Sequence, residues 1–290
     1  MSGAALPPQP PPSSRREDLP VGAAVDPVSA TAEFAQTGPD VRRVGPGAVL
    51  RWLRAGWADL WRSPGVSLGI GACCALVSWA LAGAVFLTDY AVLILPLVTG
   101  FMFAAPLLAI GVYEVSRLHE AGVEPTFAHT RAALRRNAYQ IAFMGALLML
   151  FLYGWLRVAT MLSALFLGDD IPPLGAFLET AFLSGEHLDF ALIGTAIGAL
   201  LASIVFGLSA VSLPMLIDRP MDAVTAAVTS MRACLANPVT MALWAAVIVS
   251  VTLLGVLPGF LGLVLALPLL GHATWHAYRD LVEPPGEDGR

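Results

Sequence analysis

From Pro238 to Tyr278 the chain carries no Asp, Glu, Lys or Arg. At a rise of about 1.5 Å per residue, a helix of about 20 apolar residues crosses a hydrocarbon core of about 30 Å, so this run is too long for one crossing. Pro258-Gly259 near its middle is turn chemistry and splits it into a tight hairpin of two spans. A chain holding such a hairpin is expected to fold in a bilayer, where each backbone polar group must be bonded within the protein.

Four further segments meet the same length requirement, so the expected spans are 66–87, 91–113, 138–167, 190–213, 239–257 and 259–278. Composition agrees: 57% of residues are hydrophobic and 13% charged, with a mean hydropathy of +0.74, whereas a soluble domain has about 25% charged residues. The expected fold class is all-α integral membrane with six transmembrane helices. The third segment is overlong for a single crossing and is expected to tilt or to emerge into the loop after it. Cys73, Cys74 and Cys234 form no CxxC pair and imply no disulfide framework.

All 16 basic residues are arginine, and their placement sets the orientation. Arg42, Arg43, Arg51, Arg54 and Arg62 precede the first span. Arg117, Arg131, Arg135 and Arg136 lie between the second and third, Arg219 and Arg232 between the fourth and fifth, and Arg279 ends the sixth. The opposite loops hold Asp89, Asp169, Asp170, Glu179, Glu186 and Asp189 and no basic residue. The positive-inside rule therefore places both termini of a multi-pass membrane protein in the cytoplasm, which in a bacterial cell makes it an inner-membrane protein.

Residues 1–46 are rich in Pro, Ala and Ser without apolar periodicity and read as a disordered Pro-rich cytoplasmic arm, ahead of a membrane domain at 47–279 and a cytoplasmic tail at 280–290. The arm has no signal-peptide pattern, so the first span is expected to act as the targeting signal. Over 48–62, Leu50, Leu53, Trp57, Leu60 and Trp61 recur at helical spacing among Arg51, Arg54, Asp59 and Arg62, which predicts an amphipathic helix in the membrane interface. Short helices are also expected within 125–137 and 220–237, each leading into a span at Asn137-Ala138 or Asn237-Pro238 as the first does at Ser63-Pro64.

The exits repeat as well. PLLAIGVYEVSR at 106–117 parallels PLLGHATWHAYR at 268–279, with Leu95-Pro96 and Gly100 matching Leu257-Pro258 and Gly262, while LPMLIDR at 213–219 is a shortened version. The unit is an interfacial helix followed by a transmembrane hairpin, three times over. Repeats in membrane proteins often place a site where they meet. The three exits supply a candidate cytoplasmic-side polar cluster: Glu114, Arg117, Asp218, Arg219, His272, His276 and Arg279. The alternative is that these residues snorkel to the interface, with Tyr113, Trp275 and Tyr278 as aromatic anchors. Gly194, Gly198 and Ala202 form a small-residue stripe that admits a close helix neighbour, in the same chain or in another copy.

The runs SLPMLIDRPMDAVTAAVTSMRACLANPVTMALW at 212–244, PLLGHATWHAYRDLV at 268–282 and GWADLWRSP at 56–64, with Gly100-Phe101 and YEVSR at 113–117, resemble the bacterial family of predicted integral membrane proteins termed domain of unknown function 2189. The resemblance covers about residues 45–282. It implies a multi-span inner-membrane protein without an established activity, and it brings no catalytic residues. Some members carry a loose cytochrome c oxidase subunit I label. His272 and His276 are the histidines nearest a span, and at i and i+4 on one helix they cannot sandwich a haem, so no cofactor and no metal is expected.

No phosphate loop, nucleophile elbow, HExxH or nucleic-acid motif is present. The expected function is non-enzymatic: an interaction, assembly or regulatory role, with the lipid bilayer and other membrane proteins or further copies as partners and no nucleic acid. A transporter or channel for a small solute is the alternative, kept by Pro96, Pro106, Pro214, Pro258 and Pro268 within nearly charge-free cores.

Overall fold

The computed structural model describes residues 38–87, 106–168 and 185–284. The Pro-rich run, Leu95-Pro96 and Gly100 of the echo, most of the second expected span, and Asp89, Asp169, Asp170 and Glu179 lie outside the described residues.

Ten helices occur among the described residues: α1 Ala48–Arg62, α2 Pro64–Phe86, α3 Ile110–Glu120, α4 Phe127–Arg136, α5 Ala138–Leu167, α6 Leu188–Ser209, α7 Ser212–Asp218, α8 Ala223–Ala236, α9 Pro238–Val256 and α10 Leu263–Leu281. Among the described residues, four stretches are long and apolar enough to cross a membrane: Pro64–Gly83, Ala138–Leu167, Leu188–Asp218 and Pro238–Val256. The sixth expected span falls outside that set, because the second half of α10 turns polar with His272, His276, Arg279 and Asp280. The overlong third segment is one helix of 30 residues, and the fourth breaks at Ala210-Val211 before continuing as α7.

Two hairpins are visible. α5 and α6 run antiparallel, since Trp155 packs on Gly198, Leu162 faces Gly194, and the rings of Phe166 and Phe190 lie 6.3 Å apart. The small-residue stripe thus packs within the chain. α9 and α10 are joined by a short turn in which Gly259 and Phe260 both have φ of 65°, a backbone region that costs a residue with a Cβ about 1–2 kcal/mol. Gly255 and Gly262 then meet backbone to backbone.

α10 is the axis of the fold, with Ala273, Trp275, Ala277, Tyr278 and Leu281 fully buried. α1 and α2 pack on it closely enough that a Cβ on Gly56 would lie 2.6 Å from the Ala273 amide nitrogen, and one on Gly71 2.2 Å from the Val264 carbonyl oxygen. This corrects the reading of Tyr113, Trp275 and Tyr278 as interfacial anchors. All three are buried because α10 ends inside a layer of short helices, where aromatic rings fill the core. α1 is an amphipathic helix, as expected, but it has a second apolar face: the one that packs carries Val49, Trp52, Gly56 and Leu60, while Leu50, Trp57 and Trp61 stay about half exposed on another face.

Residues 38–46, within the expected arm, are among the described residues. They form a strap: Val41 makes an antiparallel bridge to Val282, Arg42 N donates to Leu281 O at 2.8 Å, and Glu283 N donates to Asp40 O at 2.9 Å. Backbone groups and Asn237 hold it, which is why hydrophobic periodicity gave no sign of it.

Candidate functional site

The residues of the expected polar cluster lie at one end of the helices, in three hydrogen-bonded groups. Glu114, on the buried side of α3, is gripped by two guanidinium groups. Arg117 donates from Nε to Oε2 at 2.7 Å and from Nη2 to Oε1 at 2.8 Å, and Arg136 donates from Nη2 to Oε1 at 2.9 Å and from Nη1 to Oε2 at 3.2 Å. Burial alone would raise the Glu114 carboxyl, but the bonds from Arg117 and Arg136 outweigh it and hold the group below its ordinary value. The same pairing raises Arg117, so both stay charged. Arg136 Nη1 also reaches Ile217 O at 3.4 Å, tying α4 to the end of α7.

The second group centres on Asp218. Tyr278 Oη donates to its Oδ2 at 2.6 Å, Arg219 Nε donates to Tyr278 Oη at 2.8 Å, and the Arg219 guanidinium lies 5.6 Å from the ring centroid. Arg279 bridges, with Nη1 at 3.5 Å from Asp218 Oδ2 and Nε at 3.1 Å from Glu120 Oε2. Glu120 also accepts from Trp275 Nε1 at 3.0 Å. Arg117 and Arg279 are therefore members of ion-pair networks and not lone anchors at a lipid surface.

In the third group His272 and His276 were expected, whereas Asp59, Ser67, Ser116 and His119 were not. His276 Nε2 donates to Asp59 Oδ2 at 2.9 Å, and Ser116 Oγ donates to the same oxygen at 2.7 Å. His272 is fully buried, with Nδ1 2.7 Å from Ser116 Oγ and Nε2 3.0 Å from Ser67 Oγ, so water and backbone carbonyls do not serve it as an interfacial position would imply. His119 sits at the end of α3 with Nε2 2.8 Å from Ser63 Oγ and Nδ1 3.2 Å from Asp59 Oδ1. Burial raises Asp59, yet the hydrogen bonds from His276 and Ser116 and the nearby imidazoles bring its carboxyl down to about 2. Burial pushes His119 below its ordinary value, against the pull of Asp59.

The family model described as "Predicted integral membrane protein (DUF2189)" matches residues 94–218. The chain carries a DUF2189 segment. The match is narrower than the 45–282 reach of the resemblance: the 56–64 and 268–282 runs lie outside it, and the 212–244 run overlaps it only to Asp218. The DUF2189 segment supplies Glu114, Ser116, Arg117, His119, Arg136 and Asp218, whereas Asp59, His272, His276 and Arg279 come from flanking helices. Neither the curated proteins nor the solved structures hold a match to the chain.

One signal for Asp59 was present. It is the single acid in a helix with three arginines, and a carboxylate so placed is there for a partner. Ser63, Ser67, Ser116 and Arg136 gave none, since serine is ordinary in apolar helices and Arg136 is one of three arginines in α4.

Proposed function

We propose that this is a six-span inner-membrane protein of three repeats, both termini cytoplasmic, acting through interaction as an assembly or regulatory factor. Helix directions support the span count. α2, α5 and α9 each leave the polar end at Ser63, Asn137 or Asn237, and α3, α7 and α10 each finish there: Ser116 bonds Asp59, Arg136 bonds Ile217 O, and Arg51 bonds Asp280 at 2.9 Å. Three departures and three returns make six crossings. The strap paired with Val282 supports termini on one side.

The junctions support the repeats. Ser63, Asn137 and Asn237 have φ, ψ of −138°, 63°, −135°, 48° and −131°, 50°. Each bonds the segment before the next unit's short helix: Ser63 to His119, Asn137 to Leu216 O and Met221 O, and Asn237 to Arg42 O and Val44 N. The third unit thereby reaches back to the first, closing a ring.

The observation carrying an interaction role over transport is the apolar character of the cavities among the described helices. One, of about 110 Å³, has mostly apolar walls, and the hydroxyls of Ser209 and Thr274 on its lining are bonded to carbonyls of their own helices; another, of about 430 Å³, is lined by apolar residues such as Phe143, Leu147, Leu208 and Met231, with Arg232 at its edge. The polar groups that might form a path are instead spent on one another at the helix ends. The Ser63–His119–Asp59 order resembles nucleophile, base and orienting acid, but His119 Nδ1 makes no aligned bond to Asp59, which leaves the imidazole unoriented for general base work. The test pairs capture of the full chain from membranes in mild detergent with flux assays in proteoliposomes. A partner complex of fixed stoichiometry and no solute flux is expected; flux from the purified protein alone would favour the transporter.

A further inference from the structure

Two of the chain's five histidines, His119 and His276, meet the Asp59 carboxylate and a third, His272, reaches it through Ser116 Oγ, an arrangement the interaction role does not use. Among the described residues no group of three His, Cys, Asp or Glu side chains is placed to hold a metal ion. The hydrogen bonds describe proton positions instead. Ser116 Oγ has one hydrogen and gives it to Asp59, so toward His272 it accepts, which fixes that ring with its hydrogen on Nδ1. His272 Nε2 then accepts from Ser67, and His276 Nε2 donates to Asp59. Every hydrogen in the chain points inward to Asp59.

One position is left open. His119 Nδ1 is buried, lies 3.2 Å from Asp59 Oδ1, and makes no aligned hydrogen bond among the described residues. We propose that Asp59, His119 and His276 form a proton-binding site that takes up one proton as a unit and clasps α1 to α3 and α10. A single proton neutralises the carboxylate and turns a contact into a charge-assisted bond. A second would leave net positive charge in a buried site beside Arg62. The charged groups facing the site are Arg62 from α1 and Glu120 from α3, the latter held by Trp275 and Arg279; the first turn of α2 contributes the Ser67 hydroxyl. Because α1 exposes Leu50, Trp57 and Trp61 away from its packed face, proton occupancy of the clasp governs how firmly this surface helix is held.

The test uses the full chain, ¹⁵N-labelled at histidine, in lipid nanodiscs, with imidazole shifts followed between about pH 5 and 8. His119 and His276 are expected to move together in one step, with His272 fixed as the Nδ1–H tautomer. In Asp59→Asn the step moves down by about one pH unit, an about tenfold loss of proton affinity. Backbone hydrogen exchange along α1 should follow the same step in the native chain and lose it in the variant. Separate steps for the two histidines, with midpoints unchanged in Asp59→Asn, overturn the proposal. His276→Gln keeps a donor to Asp59 and serves if Asp59→Asn does not insert: the His119 step should shift there, and an unshifted step is equally fatal.

Discussion

Asn137 and Asn237 adopt nearly the same kinked backbone, and each turns its amide on a different segment of chain, Asn137 on residues 216–221 and Asn237 on residues 42–44. Asn237 accepts from Val44 N at 2.7 Å and donates to Arg42 O at 3.0 Å, so Asn237→Ala strands two backbone groups of the strap. The expected cost is about 1–3 kcal/mol for each variant, Asn137→Ala included, read as a lower unfolding temperature in detergent. An unchanged Asn237→Ala protein would show that the strap adds nothing to stability.

Acid should destabilise the fold through the Asp59 carboxyl. For Asp59 the folded value is about 2 against 3.8, so stability is full above 3.8 and is lost between 3.8 and about 2. Unfolding followed across this window should show the loss reduced in Asp59→Asn, and an unchanged loss there contradicts the assignment.

Trp244 is fully buried with its ring 5.7 Å from Trp52 in an edge-on contact, yet its Nε1 has no hydrogen-bond partner among the described residues. Its worth is therefore packing. Trp244→Phe should cost little, since it removes an unsatisfied donor, whereas Trp244→Ala should cost about 3–5 kcal/mol. Thermal unfolding of the pair separates the two contributions, and equal losses would point to a missing polar partner.

Two glycines should respond in opposite directions. A Cβ on Gly71 runs into the Val264 carbonyl at 2.2 Å, so Gly71→Ala must push α2 off α10 and destabilise. Gly154, inside α5, has nothing within 4 Å of such a Cβ, so Gly154→Ala should stabilise by about 0.5–1 kcal/mol through backbone entropy. Relative melting temperatures of the two variants check this.

A periplasm-active reporter fused after Gly175 should be active and one fused after Gly122 inactive, given the arginines that flank the second. The reverse pattern would invert the topology.

What the sequence determined by itself is whatever depends on local chemistry. Long apolar runs fixed α5 and α9 almost to the residue, because length and hydropathy alone decide whether a helix can span. Pro258-Gly259 fixed the last hairpin, and capping side chains at Thr126 and Asp222 began the short helices α4 and α8. Glu114, Arg117, Asp218, Arg219, His272, His276 and Arg279 could be gathered from the repeated exits because one template places them at one end. Only the tertiary structure decided what they touch. Asp59 lies 57 residues from Ser116 and 217 from His276, and Arg136 lies 22 from Glu114, so no periodicity links them. It also decided which face of α1 is buried. Two apolar stripes share that helix, and the close approach of Gly56 to Ala273 selects the one with Trp52 and Leu60, a choice set by the shape of α10 and not by hydrophobicity.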